Sequence, residues 1–190
     1  MSDLLPPEQM FIDRIDGPLG TMIVVDDLEE RLRAVDFCEF EPRMRRLLRL
    51  HYGTEGSGFV LQGRETTPAI RRALERYFVG QLTAIDTVPV KTAGTSFQRA
   101  VWAALREIPP GTTVSYGELA ERLGRRKSAR AVGLANGANP VAIVVPCHRV
   151  IGTDGSLTGY GGGISRKCWL LIHEGVALEK SATKQIPEAA

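Results

Sequence analysis

Apolar residues run or alternate with polar ones along the first third of the chain in the manner of strands. Thr21-Met22-Ile23-Val24-Val25-Asp26 predicts a strand, and Leu32-Arg33-Ala34-Val35-Asp36-Phe37 alternates like its partner across an acidic loop, a plausible hairpin. Met10 to Ile15 alternates more loosely, Asp16-Gly17-Pro18-Leu19-Gly20 is turn material, and residues 1–8 read as frayed. Further on the period lengthens. Arg43, Arg45, Arg46 and Arg49 interleave with Met44, Leu47, Leu48 and Leu50, so residues 42–51 predict an amphipathic helix whose basic face is surface. Gly53 to Gly63 is loop-like, with Phe59-Val60-Leu61 a short edge strand. Thr67 can cap a helix with Pro68 in its first turn; Ile70, Leu74, Tyr77 and Phe78 form a core stripe, and Gly80 stops it. Thr87 to Lys91 reads as a last strand, and a domain boundary falls near Thr92-Ala93-Gly94.

The second half is mostly helical in pattern. Phe97, Val101, Trp102, Leu105 and Ile108 make one apolar face behind a Thr95 or Ser96 cap, ending at Pro109-Pro110-Gly111. Ser115 caps a helix over Tyr116 to Leu123, with Glu118 at the capping-box position, and Gly124 stops it. Ser128 starts another that contains Ala129, Val132, Leu134 and Ala135. Two short helices around a glycine-containing turn make a helix–turn–helix. Asn136-Gly137-Ala138-Asn139-Pro140 breaks the second. The apolar run Ile143-Val144-Val145 reads as a short buried strand ended by Pro146, which has no N–H to donate. Ile151 to Gly163 is a glycine-rich loop, and Arg166 to Glu174 is a final helix with Trp169, Leu170 and Ile172 as core candidates. The polar tail predicts disorder.

The pattern predicts an α/β (α+β) chain in three parts. Residues 1–92 form a supporting domain with a small antiparallel sheet and helices. Residues 93–178 form a mostly helical, winged-helix-like domain, and residues 179–190 form the tail. Composition is that of an ordinary globular protein: 190 residues, 43% hydrophobic, 24% charged, net charge +2. There is no apolar run long enough for a membrane span and no secretory-signal order at the start, so a cytoplasmic location is expected. Cys38, Cys147 and Cys168 are odd in number and widely spaced, which argues for a reducing compartment rather than a disulfide framework. Without a CxxC pair, and with only His51, His148 and His173, no structural zinc set is expected. Arg122, Arg125, Arg126, Lys127 and Arg130 fall together with no acid among them, which suits a phosphate backbone or a solvated helix face.

Candidate chemistry centres on Pro146-Cys147-His148-Arg149-Val150. A thiol reacts as its thiolate; an imidazole can take its proton and a nearby cation favours the anion. His148 and Arg149 supply both residue types. The residues alone leave open a buried structural cysteine with a histidine beside it.

This pentapeptide resembles the active-site signature of the O6-alkylguanine-DNA alkyltransferases, the methylated-DNA–protein-cysteine methyltransferases. Gly94-Thr95-Ser96-Phe97-Gln98, Ser115-Tyr116-Gly117, Arg130-Ala131-Val132-Gly133, Asn139-Pro140, Gly159-Tyr160 and His173-Glu174-Gly175 are similar to the family's pattern in order and spacing. The resemblance covers about residues 93–178 and is to the bacterial, constitutive type. It implies stoichiometric direct-reversal repair of double-stranded DNA. The alkyl group of O6-alkylguanine would move to Cys147 after the nucleotide is flipped out, with no turnover and no cofactor. His148 is then the base, Glu174 its anchor, Asn139 the turn that orients the cysteine, and Tyr116 a donor to the departing guanine. Arg130 is implied as the finger filling the vacated stack. Ala129, Gly133, Arg126 and Lys127 lie with it on a helix that enters the minor groove. Tyr160 closes the pocket, which Val150, Gly161 and Pro146 line. Gly161-Gly162-Gly163 suggests a roomier pocket open to larger alkyl groups and to O4-alkylthymine. A monomer is expected, with cooperative binding along DNA left open.

Three rivals stand beside this reading. A recognition-only relative lacks the cysteine that is present here; a transcription regulator needs an effector or dimer module that residues 1–92 do not display; a cysteine hydrolase does not explain the basic cluster.

Overall fold

The computed structural model describes residues 6–178. The predicted tail lies outside the described residues, as does most of the predicted frayed start; Glu8, however, already belongs to a strand. Strands β1 (Glu8–Gly17), β2 (Gly20–Asp27) and β3 (Leu32–Phe37) form two antiparallel pairs, and β4 (Phe59–Gly63) joins the free edge of β1 in parallel, giving the order β3-β2-β1-β4. The sheet is therefore mixed rather than purely antiparallel. Helices α1 (Glu41–Tyr52) and α2 (Pro68–Phe78) complete this half. Thr67 precedes α2 as expected, but its hydroxyl does not cap the helix. It donates instead to Asp26, at 2.9 Å, because that buried carboxylate needs donors.

Beyond the boundary come α3 (Ser96–Arg106), α4 (Tyr116–Arg122), α5 (Ala129–Gly137) and α6 (Ile164–His173), with a two-stranded parallel ladder of β5 (Val114–Ser115) and β6 (Val150–Ile151). Thr95 and Ser115 each close a full capping box, with Gln98 and Glu118 reaching back. The helix–turn–helix is α4 and α5. Trp102 of α3 donates its indole N–H to the Ala135 carbonyl at 2.9 Å, tying α5 to the core.

Two predicted strands are not strands. Val90 and Val141 each make only a single parallel bridge to β3, at Leu32 and Val35. The bonds run Leu32 N–H to Pro89 O (2.8 Å) and Val35 N–H to Pro140 O (2.9 Å). A proline accepts but cannot donate, so neither segment extends into a ladder. Ile143 then turns the chain at φ 70°, which ends any extended run. The short strand near the cysteine is β6, which follows it. One continuous core, from Val24, Val35 and Phe37 to Val101, Trp102 and Val145, joins both halves of the chain.

Leu170 lies in the core as expected and Trp169 packs against it, but Ile172 is 42% exposed and its predicted core place is taken by Leu171. Leu105→Ala is expected to lower stability by about 2–5 kcal/mol and Ile172→Ala by less than about 0.5 kcal/mol, read by urea denaturation.

Candidate functional site

Asn139 builds the turn that carries the cysteine. Its side-chain oxygen accepts from the Val141 N–H at 3.0 Å, and its amide donates to the carbonyls of Val145 (2.8 Å) and Val141 (3.4 Å). These bonds hold Ile143 in the left-handed region, a conformation that costs a β-branched residue about 1–3 kcal/mol. The chain then enters a 3₁₀ turn at Cys147–Arg149, where Asn136 donates to the Cys147 carbonyl at 3.4 Å. Cys147 is 5% exposed, with Pro146 buried before it. Burial pushes its thiol up, against the pull of a hydrogen bond from Asn139 and the charges of Arg43 and Lys167. Burial thus favours the neutral thiol.

His148 is fully buried on the next position. Its Nε2 lies 2.9 Å from Glu174 Oε1, while its Nδ1 is buried with no hydrogen-bond partner in the protein. Burial lowers its proton affinity; Glu174 partly restores it. A neutral ring with its proton on Nε2 leaves the Nδ1 lone pair free. Glu174 caps α6. Arg149, also buried, grips it in bidentate fashion through Nε to Oε2 and Nη2 to Oε1, both at 2.8 Å. Burial opposes the Glu174 carboxylate, but the bonds from His148 and Arg149 and their charges prevail and hold it well below the usual range. Arg149 thus serves the carboxylate, not the thiol as the sequence suggested.

The walls come from several elements. The Tyr160 ring stands edge-on to His148 at 6.4 Å, its buried hydroxyl unpartnered. The Tyr116 hydroxyl donates to the Thr158 carbonyl at 3.4 Å, and its ring packs over Gly133, where an added Cβ would lie 3.7 Å away. Val150 pairs with Val114. Lys167, fully buried, donates to the carbonyls of Val150 (2.6 Å) and Thr158 (2.7 Å), and burial brings its ammonium down to about 8. Gly161 and Gly162 lie against side chains from the first half of the chain. A Cβ on Gly161 would strike the Arg43 guanidinium at 2.6 Å, and one on Gly162 would strike Phe37 at 2.8 Å. Their missing side chains make room for the first half of the chain.

Outside this cluster, Arg130, Arg126 and Lys127 are exposed, while Ala129 and Gly133 lie half-buried on the same helix start. Arg126 reaches Glu121 at 3.5 Å, a solvated pair. Among the described residues no group of His, Cys, Asp or Glu is placed to hold a metal, and no helix is long and apolar enough to cross a membrane.

Cys147, His148, Glu174, Asn139, Tyr116, Tyr160, Val150 and Pro146 thus gather around one buried centre, while Gly161 lies against Arg43, and Arg130 and its neighbours form a separate basic face. Sequence reasoning missed three contributors. Arg43 reads as surface in the sequence, yet it bonds Asp36 at 2.6 Å and the carbonyls of Gly137 (2.8 Å) and Asn139 (3.2 Å). Tyr77 reads as core, and it is buried, but its hydroxyl donates to Glu174 Oε1 at 2.7 Å. Lys167 carried no local signal beyond being a charge on a helix otherwise rich in core residues.

The model for the 6-O-methylguanine DNA methyltransferase DNA-binding domain matches residues 96–176. A methylated-DNA–protein-cysteine methyltransferase of Shigella flexneri is 52% identical over 171 residues, spanning 90% of this chain and 98% of that one. Its Methanosarcina acetivorans namesake is 42% identical over 87% of this chain and 99% of its own. Among solved structures, Mycobacterium tuberculosis OGT in complex with DNA aligns with a TM-score of 0.71 at 38% identity, covering 93% of this chain and 95% of that one.

The buried carboxylate yields a prediction with a definite sign. Glu174 is held below its ordinary value of 4.5, so on acidification the unfolded chain takes up this proton first. Its contribution to stability is complete above about pH 4.5 and drains away below it. Glu174→Gln is expected to cost about 3–5 kcal/mol at neutral pH, by stranding Arg149, and to flatten the fall below about pH 4.5, as read by urea denaturation across pH.

Proposed function

This chain belongs to the methylated-DNA–protein-cysteine methyltransferase family, and from that premise we propose that it repairs O6-alkylguanine in duplex DNA by moving the alkyl group irreversibly to Cys147. The observation that carries the residue assignment is the buried Cys147 beside a His148 whose Nε2 is bound to Glu174 and whose Nδ1 has no partner in the protein. His148 Nδ1 takes the thiol proton, relayed through a water. Glu174 steadies the imidazolium that results. The sulfur attacks the alkyl carbon; the S–C bond forms as the C–O6 bond breaks, and the guanine leaves with a proton from Tyr116. The product is a thioether, a poor leaving group that none of these residues is equipped to displace, so each chain acts once. The reaction needs no cofactor.

A base stacked in a duplex cannot reach a thiol that is 5% exposed, so the nucleotide must rotate out. Arg130, exposed at the start of α5, fills its place. Ala129 and Gly133 let the helix backbone approach the minor groove, while Arg126 and Lys127 contact phosphates. Tyr160 closes over the base, and Val150 and Gly161 present backbone groups to its edge. We divide the roles at residue 92: residues 93–178 carry DNA contact and chemistry, and residues 1–92 support them. The protein acts as a monomer in the cytoplasm.

Intact mass after mixing with a duplex containing one O6-methylguanine tests the proposal. One methyl per wild-type chain, mapped to Cys147 and absent in Cys147→Ala, is expected. Lesion-selective binding without mass gain would mean recognition only, and neither would sink the proposal.

A further inference from the structure

The carboxylate that anchors His148 is held from the other half of the chain as well. Tyr77, on α2, is fully buried and lies 97 residues before Glu174, yet its hydroxyl donates to Oε1 at 2.7 Å. That same oxygen accepts from Arg149 Nη2 at 2.8 Å and faces His148 Nε2 at 2.9 Å. The grip has a second point. His173 Nε2 donates to the Tyr77 backbone carbonyl at 2.8 Å, and the two rings meet edge-on at 5.2 Å. His173 in turn stacks on Trp169 at 4.7 Å. Both residues that end α6 are therefore fixed by one tyrosine.

Three donors on one carboxylate oxygen compete for its electron density. We propose that Tyr77 is a positioning residue for the reaction: by donating to the oxygen that holds His148, its hydroxyl limits how strongly Glu174 binds the imidazole. This rests on His148 being the base.

The electrostatics agree with the geometry. Burial and the neighbouring Glu174 charge raise the Tyr77 hydroxyl far above its ordinary range, so it remains a donor at every working pH. The groups facing His148 are Glu174 and Lys167 from the last helix and its cap, Arg149 and Cys147 from its own turn, Tyr160 from the glycine loop, and Tyr77 with His173 behind the carboxylate. Of these, only Tyr77 supplies a neutral donor to Glu174, so its removal changes the strength of the anchor without changing any formal charge. With that donor gone, Oε1 binds His148 more tightly and favours the imidazolium. A base with raised proton affinity stays protonated to higher pH, so the acid side of the rate profile moves upward.

The test is the single-turnover alkylation rate of the full chain on duplex DNA with one O6-methylguanine, measured across pH. Tyr77→Phe keeps the ring and its packing while removing the hydroxyl. The midpoint of the acid limb is expected to rise by about half to one pH unit, with the alkaline plateau within about two-fold of wild type and DNA affinity unchanged. Site-specific fluorotyrosine at position 77, a stronger donor of nearly the same shape, is expected to move the limb downward. A packing role alone slows the reaction at all pH values, or lowers the melting temperature, with no movement of the midpoint. Unmoved midpoints in both variants overturn the proposal, provided that the wild-type limb disappears in His148→Ala. If His148→Ala leaves the wild-type profile unchanged, the assignment of the base fails, and the role of Tyr77 fails with it.

Discussion

A single buried carboxylate sets the terms for the rest of the site. Glu174 sits where an ionised group without donors costs many kcal/mol. It is kept charged by hydrogen bonds from Arg149, Tyr77 and His148. Each donor is fixed in return: Arg149 also donates to the Ile108 carbonyl at the end of α3, Tyr77 belongs to α2, and His148 follows the cysteine. One charge thereby locks the last helix, the first helix of the second half, the supporting half and the reactive turn into one arrangement. Each of these bonds bears on the strength of the others, so the constellation responds as a unit.

The second constraint is the turn between Asn139 and Cys147. Its shape is strained at Ile143, and the strain persists because Asn139 satisfies three backbone groups at once and β3 binds the segment at Val35. Arg43 braces the outside through the Gly137 and Asn139 carbonyls, occupying the space that Gly161 leaves open. A thiol held this way stays buried, which favours its neutral form. At 5% exposure it is screened from electrophiles in solvent.

Much of this was legible in the residues. The hairpin of β2 and β3, the capping boxes at Thr95 and Ser115, and the helix–turn–helix each depend on local pattern, and local pattern is what a sequence displays. The gathering of Cys147, His148, Asn139 and Glu174 was legible only through resemblance, because nothing in spacing alone says that residues 148 and 174 touch. The misreadings have physical causes. Val88–Val90 and Ile143–Val145 look like strands because they are apolar and β-branched, but the first makes a single bridge beside Pro89, and the second makes none among the described residues because Ile143 turns the chain. Arg43 has the surroundings of a surface arginine and Tyr77 those of a core aromatic. Tyr77 meets Glu174, 97 residues away, and Arg43 reaches carbonyls 94 and 96 residues on, beyond the reach of periodicity.

The geometry around His148 calls for a neutral imidazole with its proton on Nε2, toward Glu174, and its lone pair on Nδ1. Nitrogen-15 NMR of histidine-labelled protein at neutral pH measures this directly. A protonated Nε2 and a bare Nδ1 are expected for His148, with the ring charging only on acidification below the ordinary histidine range. A proton on Nδ1, or an imidazolium at neutral pH, would contradict it.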